Sequence, residues 1–523
     1  MKKISKIRLS LLISLLIFVF FGIFIICSSL WIANNYDNVT MNEILFHLYL
    51  PTSGVDSYFI KSFSLGAIFP SIVLFIIAIF VFFRIHIFIS IVLSISICVF
   101  CVSLLNYEFG LFKFINIKSS SFIEDNYQKI DLENFKNKYK DLENKRNLIL
   151  ILLESMETTY STKNLQNANN INAKNSDPNI NSTPLKMANL NITSFGELIP
   201  NLSNLAVANI NFSNTSGFGG IVQSANTDFT IAAIVGYMCG IPLNFDIRHK
   251  IFKSFKEDYF LNSATCISDI LHTLNYNNLM LMGSSKYFTS KDKFFNSHHI
   301  NVKDLFYYKE AKLVQKENYN IDFGWGFEDS KLFEFAKDEL KTLSKQKEPF
   351  ALYLLTTDTH FPTGFIDDKC KIKFNLNSNN YTDRENKAYQ NAIACSDIIV
   401  SDFIAWLKKQ DFYENTTIIV LGDHLTMKVG MVDNIKNRFI YNAFINPEFS
   451  KKLDKKLLKN RKLNHFDVTT LILDSLGYET RRFALGINPL YDKTLMEIYG
   501  ESEFSELITH KSSFYDSLWE VNP

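Results

Sequence analysis

The chain has 523 residues, with 54 Lys and Arg against 53 Asp and Glu, and a formal net charge of +1. So even a balance excludes the basic footprint of a nucleic-acid binder, and the length excludes a single compact unit. Hydrophobic residues make up 47% of the chain, and most of the uninterrupted apolar runs fall within its first hundred positions, so two parts of different character are expected.

From Leu9 to Ala33 no side chain is charged, a run longer than the roughly 20 residues a helix needs to cross a hydrocarbon core. A cleaved signal peptide would have an apolar region of only about 7 to 15 residues and a small-residue cleavage site, and this run fits neither. Residues 62–83 and 87–105 are similar runs separated by Arg84, Ile85 and His86, which predicts a helical hairpin with Pro70 kinking its first arm. Segment 41–50, MNEILFHLYL, is too short to cross and suits the interface. Residues 1–106 are therefore expected to be an α-helical membrane anchor of three spans. Lys2, Lys3, Lys6 and Arg8 flank the first span, Arg84 lies between the second and third, and the 34–60 loop has acids but no Lys or Arg. This bias places the N-terminus in the cytoplasm and everything after about residue 106 on the extracytoplasmic face.

Residues 107–146 form a connector, and its 123–147 stretch, dense in both signs of charge and in good helix formers, predicts a solvated helix. From 147 to 523 the texture changes. NLILILLE (147–154), NNLMLMGSS (277–285), FALYLLTTDTH (350–360), TIIVLGDH (417–424) and RFIYNAFI (438–445) are short continuous apolar runs, the pattern of strands buried on both faces. Between them lie stretches of helical period at 266–276, 330–346, 388–410 and 468–478. That alternation predicts an α/β domain with a mostly parallel sheet and helices on both faces. The asparagine-rich 163–194 segment has no periodicity and is expected to be a mobile surface insertion.

Three cysteines lie in the spans, leaving Cys239, Cys266, Cys370 and Cys395 in the large domain. An even four suits disulfides in an oxidising compartment; three pairings exist, and the short intervals favour Cys239 with Cys266 and Cys370 with Cys395. Four buried free thiols are the competing reading. A zinc cluster finds no support, since no CxxC spacing occurs.

In open α/β sheets ligands sit beyond the carboxyl ends of the strands. Glu154 closes the first predicted strand, His360 follows the third, and Asp423 with His424 close the fourth. Any one such carboxylate reads best as a helix cap or turn former; the set together reads as a site. SANTDFTIAAIVGYMCGIPL (224–243) adds a hydroxyl, with Thr227 near the start of an apolar helix where unpaired N–H groups and partial positive charge gather. Alone, Thr227 reads as a helix cap; beside a divalent metal that lowers its pKa, it is a candidate nucleophile.

These motifs resemble a known family. LILILLESMETTY looks like the metal-ligand strand of the sulfatase-like phosphotransferases of the alkaline phosphatase superfamily, and GDH looks like their later metal pair. NTDFTIAAIVGYMCGIPL, followed by TTDTHFPTGF and VLGDH, is most similar to phosphoglycerol transferases that decorate periplasmic glucans, and more distantly to lipoteichoic acid synthases. The resemblance covers roughly residues 147–480. It implies that Glu154, Thr227, Asp423 and His424 hold one metal ion and that Thr227 is the nucleophile. Thr227 would take a phosphorylated head group from phosphatidylglycerol or phosphatidylethanolamine, release diacylglycerol, and pass the group from phosphothreonine to a glycan or lipid acceptor. His360 matches the position that contacts phosphate or helps the leaving group. Lys291 in SKDKF, and Trp325 and Asp329 in GWGFEDS, match head-group positions, against readings as a solvated lysine, a packed tryptophan and a helix-capping aspartate. Asp467 reads as a helix N-cap, and neither it nor His465 enters the metal set. One nitrogen and three oxygen ligands suit Mn²⁺ or Zn²⁺. The implied location is a bacterial inner membrane with the catalytic domain periplasmic.

A sulfatase needs Cys or Ser in a C/S-x-P-x-R pattern, and no cysteine here sits in one. A phosphoethanolamine transferase acting on lipid A or a surface glycan shares anchor, metal set and threonine, but MCGIPL leans towards phosphoglycerol. A membrane-anchored binding protein that has lost turnover is disfavoured, because every matching ligand position is retained.

Overall fold

The computed structural model describes residues 6–50, 55, 57–142, 144–161, 198–245, 259–313, 325–370, 381–428, 430–431 and 438–520. The asparagine-rich 163–194 segment lies outside them. The chain divides into two compact units, one of residues 1–48, 55–117 and 427–431, the other of residues 49–54, 118–426 and 432–523.

In the first unit, Ile7–Asn35, Ser57–Arg84 and Ile87–Phe109 are helices long and apolar enough to cross a bilayer. Their outward faces expose Phe18, Phe69, Phe80 and Phe88, while Leu12, Leu16, Val19, Ile23 and Cys27 of the first helix pack inward with Phe82. Small residues permit the approach. A side chain at Gly22 would collide with Ile97, and one at Gly66 with the Trp31 ring, whose Nε1 donates to Ser62 Oγ at 3.2 Å. Pro70 lies in the first turn of the Phe69–Arg84 helix, directly after a wide-turned π segment, Ser64–Ile68, so the missing N–H falls where the hydrogen-bond ladder already changes step. Met41–Tyr49 is a helix of 9 residues, too short to cross a bilayer.

The connector is not one solvated helix. It breaks into Leu111–Ile115, Phe122–Asn126 and Leu132–Tyr139. The charge pattern hides apolar anchors that must be buried: Phe122 packs on Tyr499 and Phe504, and Tyr139 on Tyr478, with ring centroids 5.1 to 6.2 Å apart.

The second unit is built on one six-stranded sheet in the order β3-β2-β4-β1-β5-β6. Its strands are β1 (Asn147–Leu153), β2 (Asn277–Met282), β3 (Asn301–Lys303), β4 (Phe350–Leu355), β5 (Thr416–Gly422) and β6 (Asn442–Ile445). All neighbours are parallel except β5 and β6. The strand β3 went unpredicted because three residues carry no period. The central strands β1, β4 and β5 are buried along almost their whole length, as continuous Leu, Ile and Val runs require when helices cover both faces. Register then sets the site: Leu152 stands opposite Leu355 and Leu153 opposite Gly422, so the residues that follow each strand emerge at one edge.

Two helices back that edge. Thr230–Cys239 packs against His465–Ser475 so closely that a side chain at Gly236 would meet His465 Cβ and Thr227 Cγ2. Cys239 ends its helix, Gly240 at φ +67° turns the chain in the left-handed conformation that favours glycine, and its N–H returns to Gly236 O. Cys239 is disulfide-bonded to Cys266, the N-cap of the Ile267–Thr273 helix, and Cys370 to Cys395. Asp467 is not the N-cap of the His465–Ser475 helix. Asn464 is, and Asp467 answers it from the third helical position, accepting its N–H at 3.0 Å in a capping box.

Candidate active site

Glu154, Asp423 and His424 lie together beyond the ends of β1 and β5, fully buried, with one ligand atom from each within 4.8 Å of the others. His424 Nε2 is 3.5 Å from Glu154 Oε1 and 3.5 Å from Asp423 Oδ2. The imidazole is fixed by its other nitrogen, which donates to Leu425 O at 2.9 Å and so leaves Nε2 as the ligand atom. Asp423 Oδ1 accepts the N–H groups of Ser155 and His424, whereas Oδ2 is buried with no hydrogen-bond partner.

The electrostatics match a cation site. Burial and the adjacent Glu154 push the Asp423 carboxyl up to about 7. Burial acts the same way on Glu154, but His360 and His424, with hydrogen bonds from Ser155 and Thr230, outweigh it and hold this carboxyl below its ordinary value. For His424 the burial effect, downward, is overcome by Asp423 and Glu154, which raise it. Two buried carboxylates against one imidazole leave a negative surplus that a divalent ion would neutralise. The donor set, two carboxylates and a bare imidazole nitrogen, fits Mn²⁺ or Zn²⁺.

Thr227 is buried, and its Oγ1 donates to Ser224 O at 2.8 Å. It does not cap the helix. The helical residues begin at Thr230, and the N-cap position is Phe229, which offers no side-chain bond. The residues around Thr227 reach the cluster: Thr230 Oγ1 donates to Glu154 Oε2 at 3.4 Å, and the Asp228 carboxylate interacts electrostatically with His424.

A second set of side chains comes from loops and from the start of the Lys291–Ser297 helix. Lys291 is buried, held by Phe288 O at 2.9 Å and placed over the Phe288 ring; burial first, against the pull of Glu154, brings its ammonium down to about 8. The half-buried Trp325 ring lies 4.2 Å from His360 and 5.1 Å from Phe288. His360 Nδ1 donates to Phe361 O at 2.8 Å, and the ring interacts electrostatically with Glu154. Asp329 is buried at the start of the Asp329–Leu343 helix. Its two carboxylate oxygens accept the N–H groups of Thr357 and Asp358, and Asp358 returns a bond to Asp329 N–H, so this side chain holds the loop that carries His360.

Three residues that the sequence reading passed over belong here. Glu157, fully buried, pairs with Arg438 at 2.6 Å and accepts Thr426 N–H, and Arg438 also donates to Thr426 O, which pins the loop leaving His424. The signal was the second glutamate of ESMETTY, but its partner lies 281 positions away. Asp228 carries a buried Oδ1 with no hydrogen-bond partner, and burial pushes its carboxyl up to about 6. Phe288 completes the aromatic wall beside the lysine that the sequence singled out.

The sulfatase family profile matches residues 146–478. Phosphoglycerol transferase I of Salmonella choleraesuis is 30% identical over 306 residues, 58% of this chain and 38% of that protein, so the chain spans less than half the length of the curated relatives it matches. Among solved structures, the integral membrane protein lipooligosaccharide phosphoethanolamine transferase A from Neisseria meningitidis is similar in fold. It covers 90% of this chain and 84% of its own, with a TM-score of 0.50 at 12% identity. A lipoteichoic acid synthase from Listeria monocytogenes covers 69% of this chain and 82% of its own, with a TM-score of 0.45 at 15% identity.

Proposed function

The chain belongs to the sulfatase family, and from that premise we propose that it is a membrane-anchored phosphotransferase. In this reading it moves the phosphorylated head group of a membrane phospholipid, phosphoglycerol in the first instance, to a hydroxyl of a glycan or other cell-envelope acceptor. The observation that carries it is the buried cluster of Glu154, Asp423 and His424, in which Asp423 Oδ2 makes no hydrogen bond and Glu154 accepts from Thr230, three residues after a buried threonine that caps no helix. Threonine at the nucleophile position, without a C/S-x-P-x-R pattern, favours transfer over sulfate-ester hydrolysis. The name of the 30%-identical relative favours phosphoglycerol; phosphoethanolamine is the alternative, since the same residues suit either head group.

Glu154, Asp423, His424 and Thr227 would hold one divalent ion, Mn²⁺ or Zn²⁺, which when bound lowers the pKa of the hydroxyl. Thr227 Oγ1 gives up its bond to Ser224 O, loses its proton to water and bonds to phosphorus. The bond from phosphorus to the diacylglycerol oxygen breaks, and that oxygen takes a proton from His360 Nε2. In the second half an acceptor hydroxyl gives its proton to the same nitrogen and attacks phosphorus, and the bond to Thr227 breaks as its oxygen regains a proton. Lys291 would meet the phosphate and Trp325 the rest of the head group. The two disulfides and the basic flanks of the spans support a cytoplasmic N-terminus and an extracytoplasmic, periplasmic catalytic domain in a bacterial inner membrane.

Intact-mass analysis after incubation with phosphatidylglycerol tests the reading, with a head-group phosphate expected on Thr227. The same measurement with phosphatidylethanolamine tests the alternative. Thr227→Ala should remain folded by circular dichroism, carry no adduct and lose on the order of 10³-fold or more in turnover. Full activity in that variant would remove threonine from the mechanism.

A further inference from the structure

Outside the site, one surface of the second unit combines exposed rings with lysines. Tyr287 is 42% exposed, Phe306 40%, Tyr307 41% and Leu313 51%. Among the described residues, the other exposed large apolar side chains after residue 118, Leu142, Val207, Tyr491, Ile498 and Tyr499, lie on other elements. The Tyr287 and Phe306 rings are 5.6 Å apart, which joins the loop after β2 to the Leu305–Glu310 helix. A lysine stands over each ring: Lys286 over Tyr287 at 5.5 Å, Lys309 over Phe306 at 6.0 Å and Lys303 over Tyr307 at 5.0 Å. Lys312 follows, exposed. Of the nearby acids among the described residues, Asp304 turns inward to accept the N–H groups of Lys286 and Tyr307, and Glu339 pairs with Lys303, so Glu310 and the partly buried Asp292 stand against Lys286, Lys309 and Lys312.

Rings with an apolar body, set among cations, suit the head-group zone of a bilayer: aromatics settle at that depth, and lysines draw anionic lipid towards them. The patch also continues into the site. The same loop turns Tyr287 outward and Phe288 inward against Trp325, whose ring meets His360. We propose that the 286–313 surface is a docking face for an anionic bilayer leaflet, with Tyr287, Phe306 and Tyr307 entering the head-group zone and Lys286, Lys309 and Lys312 meeting lipid phosphates. The docking face does not rest on the phosphotransfer reading, and lipid contact tests it without turnover.

The full chain is reconstituted in nanodiscs of phosphatidylcholine alone and of phosphatidylcholine with phosphatidylglycerol, beside the detergent-solubilised form, and amide hydrogen exchange is followed. Peptides from 285–313 should exchange several-fold more slowly in the anionic discs than in the other two, and added salt should reverse the difference. The triple variant Lys286→Glu, Lys309→Glu, Lys312→Glu should lose that protection while β1 and β5 peptides keep theirs. Equal rates in all three settings overturn the proposal, as does protection that survives charge reversal. Protection in detergent that grows with protein concentration also overturns it, since a second copy would then be the occupant. Should the triple variant not fold, the comparison of the two disc types with the unaltered chain decides alone.

Discussion

On one side of the site stand Glu154, Asp423 and His424, each within two residues of a strand end; on the other stand Lys291, which opens a short helix, Trp325 and His360, all beyond the strands. The first side inherits its precision from the register of β1 against β5 and from Gly422, where a side chain would strike Met156 O. The second is assembled by reciprocal bonds, Asp329 and Asp358 each accepting the other's N–H. Strand ends place atoms rigidly, whereas loops need carboxylates and aromatic stacking to do so. The difference teaches where substrate choice is open to change under the proposed function: the residues that would hold the metal are tied to the sheet, and those that would meet the head group are not.

The largest effect that would break this division is Glu157→Gln. It removes the buried carboxylate that the partly buried Arg438 meets at 2.6 Å, and a loss of about 3–5 kcal/mol is expected in chemical denaturation. If stability hardly changes, the loop after His424 is not held as described. Removing the Cys239–Cys266 bridge, which closes a separation of 27, should cost roughly 3–4 kcal/mol; removing Cys370–Cys395, with a separation of 25, should cost about the same, and thermal melts of the two variants compare the sides directly. Asp423→Asn should weaken Mn²⁺ or Zn²⁺ by more than about 100-fold in calorimetric titration, beyond what an outer partner costs, while His360→Gln leaves metal affinity near its original value. Equal losses in both variants would show that the two sides are not separable.

The smallest effect concerns pH. The Lys291 ammonium, brought down to about 8, is charged below that pH and neutral above it, so KM for an anionic donor should be flat below about 8 and rise beyond it, and Lys291→Arg should extend the flat region. The sign for stability is separate. Because the folded value lies below the ordinary 10.5, the native state binds fewer protons between the two, and stability contributed by this group increases as pH rises through that interval.

Much of this was legible along the chain. Continuous apolar runs predicted β1, β2, β4 and β5, and charged residues closing them predicted Glu154, Asp423 and His424, because burial on both faces and polarity at the strand end are local properties of sequence. The spans were equally local, since a bilayer requires only length and apolarity. What stayed hidden depended on distant partners. Glu157 is one more acid until Arg438 reaches it, nothing local to Asp329 tells that the backbone of the His360 loop donates to both its oxygens, and the connector reads as solvated until Tyr499 and Phe504 receive Phe122.

By itself, then, the order of residues determined which segments enter lipid, which become buried strands and which chemical groups stand at their ends, for these follow from the solvation of each short stretch. Only the tertiary structure decided what each polar group does there. A carboxylate acts as ligand, loop tether or ion-pair partner according to the atoms within about 3 Å of it, and parallel strands gather those atoms from positions hundreds of residues apart.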